Sequence, residues 1–452
     1  MACKERSRKL YTKITPGRVL DSGVMKFQAV KGTYDILPTD QPRWTHVFEA
    51  AARVLGRAGV QEITPPIFEH SEVFVKAAGE SSDLVVQKEM YTFTDAGGRT
   101  LTLRPEFTPG VLRAYLEHGM YTRPAPVKLW SRGPIFRAEK PQRGRFRQFQ
   151  QVNCEVLGLE TPLIDAETVT LLYRTLQACG LKNLSVKLGS VGDPEDRAAY
   201  NRYLREELGQ RAEELSKTSR ERLRLNPMRV LDSKDAGDQE IVATLKRPLE
   251  FLNADARAHF DAVQDYLTDW GVPFAVDSSI VRGLDYYRRT AFEVHHAGIG
   301  AQSALGGGGR YDGLVEHLGG PATPGIGWAF GVERVLDAVA QDGVMQEAEA
   351  KPLLFLVPMD ETAVAEVART AFGLRNFFAV QHGYKERNPG KGLRDAERSG
   401  ARFAGLRGDR ERERGVYTLK NLETGEQLEV AETDLESFLA ARLEADVQVG
   451  SL

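Results

Sequence analysis

At 452 residues, with 42% hydrophobic and 27% charged side chains and a formal net charge of −3, the chain has the composition of a globular protein and not of a disordered, collagenous or membrane-embedded one. A prior of roughly 100–200 residues per domain predicts two to four domains. So even a charge balance gives no support to broad nucleic-acid affinity, and any nucleic-acid surface must be local. Cys3, Cys154 and Cys179 are too few and too widely spaced for a disulfide framework or a cysteine-based zinc site, which favours a reducing compartment.

The N-terminal MACKERSRKLYTKITPGRVLDSG is basic but lacks the apolar segment of a signal peptide, and no long apolar run follows. The expectation is a cytoplasmic protein with no membrane partner, with residues 1–24 a flexible extension and Met25 an alternative start. Trp44, Val47, Phe48, Ala51 and Leu55 fall at helical spacing before Gly59. VQEITPPIFEH runs apolar residues into two prolines, which suits an edge strand or an interface segment. Tyr91–Phe93 and Leu101–Leu103 flank a Gly97-Gly98 turn and read as a hairpin, followed by a helix through Val111 and Tyr115. Residues 127–136 and 146–156 form a strand pair around a loop in which Arg137, Arg143, Arg145 and Arg147 alternate with Phe136, Phe146 and Phe149.

The texture then turns charged and helical from Asp193 to about Trp270, predicting a helical insertion. Strands return at Phe274–Val276, Arg289–Val294 and around the glycines 306–309, and a helix begins near Gly331. Residues 341–351 read as a linker, and 352–452 as a separate α/β domain opening on the buried strand LLFLVP.

Several polar clusters admit two readings each. Arg137 and Glu139, two apart after an apolar strand, share one face and fit a phosphate beside a base edge, or form a surface ion pair. Glu106 in TLRPEFTPG suits a substrate ammonium, or caps the helix that follows. Arg282, Asp285, Tyr286, Tyr287 and Arg288 in SIVRGLDYYRRTAFEV form a polar site or a tyrosine-rimmed edge strand. ALGGGGRYDGL is no Walker loop; its glycines admit a close ligand or a flexible hairpin. Arg334 in GIGWAFGVERVL meets a phosphate or solvates a helix face. The eight histidines form no metal-spaced set, and His295-His296 is a weak base or ligand candidate.

In their order, these segments resemble the histidyl-tRNA synthetases, a family of class II aminoacyl-tRNA synthetases, over nearly all of the chain from Val30 onward. EITPPIFE is similar to the motif 1 dimer segment, TLRPEFTPG to the substrate loop, GPIFRAEKPQRGRFRQFQQVNCEVLG to motif 2 and GIGWAFGVERVL to motif 3. VRGLDYYRRTAFE and GGGRYDGL resemble the two histidine-specific motifs, which are more specific than general class II signals.

The resemblance implies an α+β fold: a class II antiparallel sheet flanked by helices in a catalytic domain over 25–340, with the helical insertion near 193–270 over the acceptor stem and an anticodon-binding domain over 352–452. It implies L-histidine, ATP with Mg²⁺, and tRNA(His) as partners, and a homodimer. Arg137 and Arg282 would be catalytic, lying on opposite sides of the ATP α-phosphate. Glu106, Phe107, Thr108, Gln151, Glu155, Tyr286, Tyr287 and Tyr311 would join those two arginines around histidine. Arg137, Glu139, Arg145 and Arg334 would bind ATP, with Arg147 structural. No metal ligand is assigned beyond the Mg²⁺ that accompanies ATP. Two departures stand out: Phe107 occupies a position where the family has glycine, and Gln150 replaces a histidine. The alternative is a synthetase paralogue that regulates ATP phosphoribosyltransferase in histidine biosynthesis. Such paralogues lack the C-terminal domain and degrade the arginine motif, whereas this chain keeps both.

Overall fold

The computed structural model of the chain describes residues 27–78, 89–139, 145–278, 280, 287–298, 304–342 and 351–449. The 1–24 extension, Arg143, Arg282, Tyr286 and most of the 341–351 stretch lie outside the described residues. The chain divides into two compact units, Met1–Gln346 and Glu347–Leu452.

In the first unit the strands are β1 (Gln61–Glu62), β2 (Phe68–His70), β3 (Thr92–Thr94), β4 (Thr100–Leu103), β5 (Val127–Phe136), β6 (Gln148–Leu157), β7 (Leu184–Ser190), β8 (Phe274–Val276), β9 (Arg288–His296), β10 (Ala304–Arg310) and β11 (Gly325–Gly331). Eight of them form one sheet in the order β1-β5-β6-β11-β10-β9-β7-β8. The run from β5 to β7 is antiparallel throughout, and β1 and β8 add parallel edges, so the sheet is mixed only at its margins. β2, β4 and β3 make a small separate sheet. Pro65 and Pro66 explain the break: the segment expected as one edge strand holds only two residues on the large sheet before the prolines end its pairing.

The face of the large sheet carrying Trp130, Val152, Cys154, Val156, Phe292, Val294, Ile326, Trp328 and Phe330 packs into the main core. The Gln41–Arg57 helix covers part of it with a stripe of Trp44, Val47, Ala51 and Leu55, all buried; Val47 and Leu55 are each worth about 1.5–3 kcal/mol when fully removed from water. The glycines 306–309 are not a flexible hairpin: they form β10, bonded on both sides by β9 and β11. A Cβ at Gly308 would stand 2.7 Å from the Trp328 Cα, so that strand can sit so close to its neighbour only without side chains.

The helical region after β7 has two parts. The helices Pro194–Gln210, Lys217–Leu225 and Ala236–Ala243 gather a satellite core around Tyr200, Leu204, Leu208 and Ile241. The buried Asp238 carboxylate there accepts hydrogen bonds from the hydroxyls of Ser216 (2.7 Å), Ser219 (2.6 Å) and Ser233 (2.6 Å). The Ala254–Asp269 helix instead returns to the main core through Phe260, Val263 and Leu267.

The second unit holds its own sheet, β12 (Leu354–Pro358), β13 (Val380–His382), β14 (Phe403–Arg407), β15 (Val416–Asn421) and β16 (Gln427–Ala431), in the order β13-β12-β14-β15-β16. β12 pairs in parallel with β13 and β14, as expected where the Glu361–Leu374 and Pro389–Arg398 helices make the crossovers. Leu354, Leu356, Val367, Phe403, Tyr417 and Leu419 form its core. Among the described residues no helix is long and apolar enough to cross a membrane.

Candidate active site

Strand alternation sends Val152, Cys154 and Val156 of β6 into the core and Gln151, Asn153 and Glu155 to the opposite face. On neighbouring β11, the residues directly across from these three are Gly331, Ala329 and Gly327. GIGWAFG thus presents aromatic and branched residues to the core and almost no side chains to the other face. The polar side chains of β6 stand in the shallow trough that this leaves.

Glu155 is the buried centre of the trough, 1% exposed. Its Oε1 accepts from the Thr108 hydroxyl (2.5 Å) and from Asn153 Nδ2 (2.8 Å), and its Oε2 accepts from the Tyr311 hydroxyl. Burial pushes its carboxyl up, while these three donors pull the other way. Burial, with the neighbouring Glu155 charge, holds the Tyr311 hydroxyl well above its ordinary range, so it remains a donor. Glycines make room for each group: a Cβ at Gly327 would overlap the Glu155 carboxylate, one at Gly325 would come within 3.0 Å of the Tyr311 ring, and one at Gly309 within 2.7 Å of the Tyr287 ring.

Glu106 lies beside this pocket. It does not cap the helix at Thr108–Glu117: the cap position is Phe107, with no side-chain cap bond. Its Oε1 is buried without a hydrogen-bond partner. Burial, opposed by the Arg137 charge and reinforced by that of Glu155, pushes its carboxyl up to about 7. A buried, unpaired acceptor of this kind is a place for a cation. Gln151 Oε1 is buried and unpartnered in the same way.

The structure revises the expectation for Phe107. Its backbone is right-handed helical (φ −85, ψ −38), which any residue adopts, so the loop does not demand glycine there. Its side chain is not offered to a ligand: it is 1% exposed, packed with Val111, Leu112 and Ile135, and covered by the Arg104 guanidinium at 4.3 Å from the ring centroid. Arg104 in turn donates to the carbonyls of Pro65 (2.8 Å) and Pro134 (2.9 Å), tying the proline break to β5.

Arg137 and Glu139 lie beyond the end of β5 and do not share a strand face. The Arg137 amide still bonds to the Arg147 carbonyl (2.9 Å), but the next amide, of Ala138, turns to Glu89 (2.7 Å). The Arg137 guanidinium sits 5.5 Å over the Phe149 ring and donates to the Pro105 carbonyl (3.1 Å). Glu139 pairs with Arg145 at 3.1 Å. Arg334 donates to the Ala304 carbonyl (3.0 Å); burial lowers its pKa, with the charges of Arg145 and Arg137 acting in the same direction and Glu139 and Glu293 opposing them. Arg145 and Arg137 are therefore near enough to Arg334 for their charges to act against its own, an arrangement that an anion relieves. Arg147 contacts backbone, donating to the Lys31 carbonyl (3.3 Å).

One further carboxylate braces this end of the sheet. Glu333 accepts from the Tyr34 hydroxyl and from the Gln150 amide (2.7 Å), and Tyr34 meets the Phe146 ring edge-on at 4.9 Å. Gln150 thus contributes its backbone. His295 pairs with Glu293 (2.9 Å) and buried His296 with Asp342 (3.0 Å). Among the described residues no group of three or more His, Cys, Asp or Glu side chains could hold a metal.

Glu106, Thr108, Arg137, Gln151, Glu155, Tyr287 and Tyr311 are thus brought into one region, with Glu139, Arg145 and Arg334 around the neighbouring anion-seeking cluster. Asn153, Glu293 and the clearing glycines Gly325 and Gly327 carry no role in the sequence reading, whereas Gly309 belongs to the glycine run that admitted a close ligand. Period-two reading of QVNCEVL would have found Asn153 between Gln151 and Glu155.

The model of histidyl-tRNA synthetase matches residues 32–335, and that of the anticodon binding domain residues 354–442. A histidine--tRNA ligase of Thermus thermophilus is 52% identical over 421 residues, covering 93% of this chain and 100% of that one. One from Deinococcus radiodurans is 51% identical over 431 residues, covering 92% and 100%. The crystal structure of apo S. aureus histidyl-tRNA synthetase superposes with a TM-score of 0.78 at 34% identity, covering 91% of this chain and 99% of that one. Sequence and fold agree, and the chain belongs to the histidyl-tRNA synthetase family.

Proposed function

We propose that this chain is a histidine–tRNA ligase that activates L-histidine with Mg·ATP to histidyl-adenylate and transfers the histidyl group to tRNA(His). The observation that carries this reading is Glu155, a buried carboxylate with three fixed donors. A carboxylate offers about four lone-pair directions, so one remains on Oε2 for an imidazole N–H. An apolar amino acid would leave that direction buried and unpaired, which provides discrimination on the order of 10⁴ without editing. Glu106, whose ionised form the ammonium itself favours, receives the histidine ammonium, with the unpartnered Gln151 Oε1 as a further acceptor.

The histidine carboxylate attacks the ATP α-phosphorus and pyrophosphate departs. The terminal adenosine hydroxyl of the tRNA then attacks the adenylate carbonyl and releases AMP. Negative charge grows on the α-phosphoryl oxygens in the first step, so Arg137, held by Phe149 and the Pro105 carbonyl, binds the transition state more strongly than the ground state. The family resemblance gives Arg282 a second electrostatic role at the α-phosphate. Arg282 is an electrostatic catalyst, since its pKa is too high for a general base. Arg334 and Arg145 receive the outer phosphates, and Glu139 faces adenine. Mg²⁺ would enter with ATP and neutralise phosphate charge; Glu139 and Glu293, whose charges oppose those of the arginines here, are the carboxylates that would face it.

Phe68 and Phe93 in the small sheet, and Ile67 just before it, are exposed, with the two phenylalanine rings 6.3 Å apart, an apolar surface that supports a homodimer. The second unit's anticodon-binding match supports tRNA as partner, and the buried free thiols of Cys154 and Cys179 fit a cytoplasmic setting.

The test is histidine-dependent ATP–pyrophosphate exchange, with Arg282→Ala alongside. Robust exchange by the natural chain and severe loss in the variant support the reading. A folded chain that binds histidine but supports no exchange at any Mg²⁺ concentration overturns it in favour of the regulatory paralogue.

A further inference from the structure

Where β9 meets β10 the register slips. Gly309 pairs with Ala291, but the next residue, Arg310, pairs with Arg288, so Arg289 and Thr290 are extra residues on β9. Arg289 has φ +49 and is the only non-glycine residue with positive φ among the described residues. Bulges of this kind re-aim the side chains beside them, and a strained residue persists only where its surroundings over-determine it.

Those surroundings centre on Asp193. Its Oδ1 accepts from Arg289 Nε (2.8 Å) and from Arg288 Nε (2.8 Å), and its Oδ2 from Arg289 Nη2 (3.1 Å). Backbone bonds close the clamp: Arg289 N to the Gly192 carbonyl and Val191 N to the Arg289 carbonyl, both 2.9 Å. Burial pushes the Asp193 carboxyl up, but the bonds and charges of Arg289 and Arg288 bring it down to about 2, so it is ionised throughout the neutral range.

On the other side of the bulge is the ligand pocket. Tyr287, next to the clamped arginines, packs its ring against Gly309. Arg288 Nη1 reaches Asp312 Oδ2 at 3.5 Å, and Asp312 Oδ1 accepts from the Gly325 amide at 3.0 Å, beside Tyr311. Asp193 is also the first turn's cap of the Pro194–Gln210 helix, in a capping box with Asp196, whose Oδ1 accepts from the amide of Asn253 at 3.0 Å. One carboxylate thus stands between the root of the helical insertion and two tyrosines of the pocket.

We infer that Asp193 is a positioning residue for histidine recognition: by clamping Arg288 and Arg289 it maintains the β9 bulge that sets Tyr287 against Gly309 and Asp312 beneath Tyr311. With histidine as the pocket's ligand, the reading on which this rests, the clamp governs the imidazole wall and leaves the phosphate-facing arginines untouched.

The experiment measures steady-state ATP–pyrophosphate exchange and the thermal midpoint for the natural chain, Asp193→Asn, Arg289→Gly and Asp196→Asn. Asparagine still caps the helix but surrenders the charge. Glycine suits the positive φ at 289, so Arg289→Gly removes the Arg289 half of the clamp while relieving backbone strain, and remains informative if Asp193→Asn does not fold. Both are expected to raise the KM for histidine by on the order of tenfold to a hundredfold while the KM for ATP changes by less than about twofold. Asp196→Asn loosens the insertion's root without touching either arginine; it is expected to lower the thermal midpoint and leave the histidine KM in place. An unchanged histidine KM in both clamp variants, or an equal rise in Asp196→Asn, overturns the positioning role. Absence of exchange in the natural chain overturns the histidine-activation reading and this inference with it.

Discussion

Gly327 lies directly across from Glu155 in the β6–β11 ladder, and the space its missing side chain leaves is filled by the Glu155 carboxylate. A Cβ at this position would stand 2.7 Å from both the Glu155 carboxyl carbon and the Cys154 carbonyl oxygen. Neither can retreat, because Glu155 is held by Thr108, Asn153 and Tyr311 and the carbonyl belongs to the sheet. Gly327→Ala is therefore expected to displace the carboxylate, lowering kcat/KM for histidine on the order of a hundredfold and overpacking the sheet by about 1–3 kcal/mol. Exchange kinetics and urea unfolding check the two parts; near-native kinetics would show that the pocket does not depend on this carboxylate.

Glu106 gives a pH dependence whose sign follows from its raised pKa. Its carboxyl titrates at about 7 in the folded protein against an ordinary 4.5. Between those values the folded state holds the proton and the unfolded state does not, so its contribution to stability is full below the lower value and is lost as pH rises through about 7. A bound ammonium favours the ionised form. Histidine affinity should rise by up to about tenfold per pH unit until about pH 7 and then level off. Glu106→Gln should weaken binding and remove that share of the slope, leaving only the part due to histidine's own titration. Calorimetric titration of histidine across this range, natural chain against variant, separates the two.

Phe107 should act chiefly through stability. Truncation to alanine leaves a cavity beneath Arg104 and among Val111, Leu112 and Ile135, with an expected loss of about 3–5 kcal/mol. Phe107→Leu should lose less, since most of the volume is kept. Urea midpoints order the three proteins; Phe107→Ala as stable as the natural chain would contradict the packing role.

Arg334→Lys tests the outer-phosphate assignment. Lysine keeps the charge but cannot present a fork to phosphate oxygens and a donor to the Ala304 carbonyl together. The KM for ATP is expected to rise on the order of tenfold, with the histidine KM little changed. A selective rise in the histidine KM would place Arg334 in the wrong half of the site.

Local pattern determined much of this protein in advance. The stripe Trp44, Val47, Ala51 and Leu55 specified a helix with one buried face, and the apolar runs at 127–136 and 146–156 specified paired strands, because side-chain periodicity is a property of a few consecutive residues. The order of the motifs carried the family. What neighbours in sequence could not decide was which residues confront each other across the ladders. Four glycines suit a flexible hairpin as well as a central strand until β9 and β11 are known to bond them from both sides. Arg137 and Glu139 looked like partners on one face until β5 was seen to end at Phe136, before both of them. Tyr34 and Glu333 meet across 299 residues, and Asp193 holds a bulge that no short window reveals. Register and burial are set by the packing of distant segments, and they alone turn a carboxylate such as Glu155 from a surface charge into a buried acceptor held by three donors.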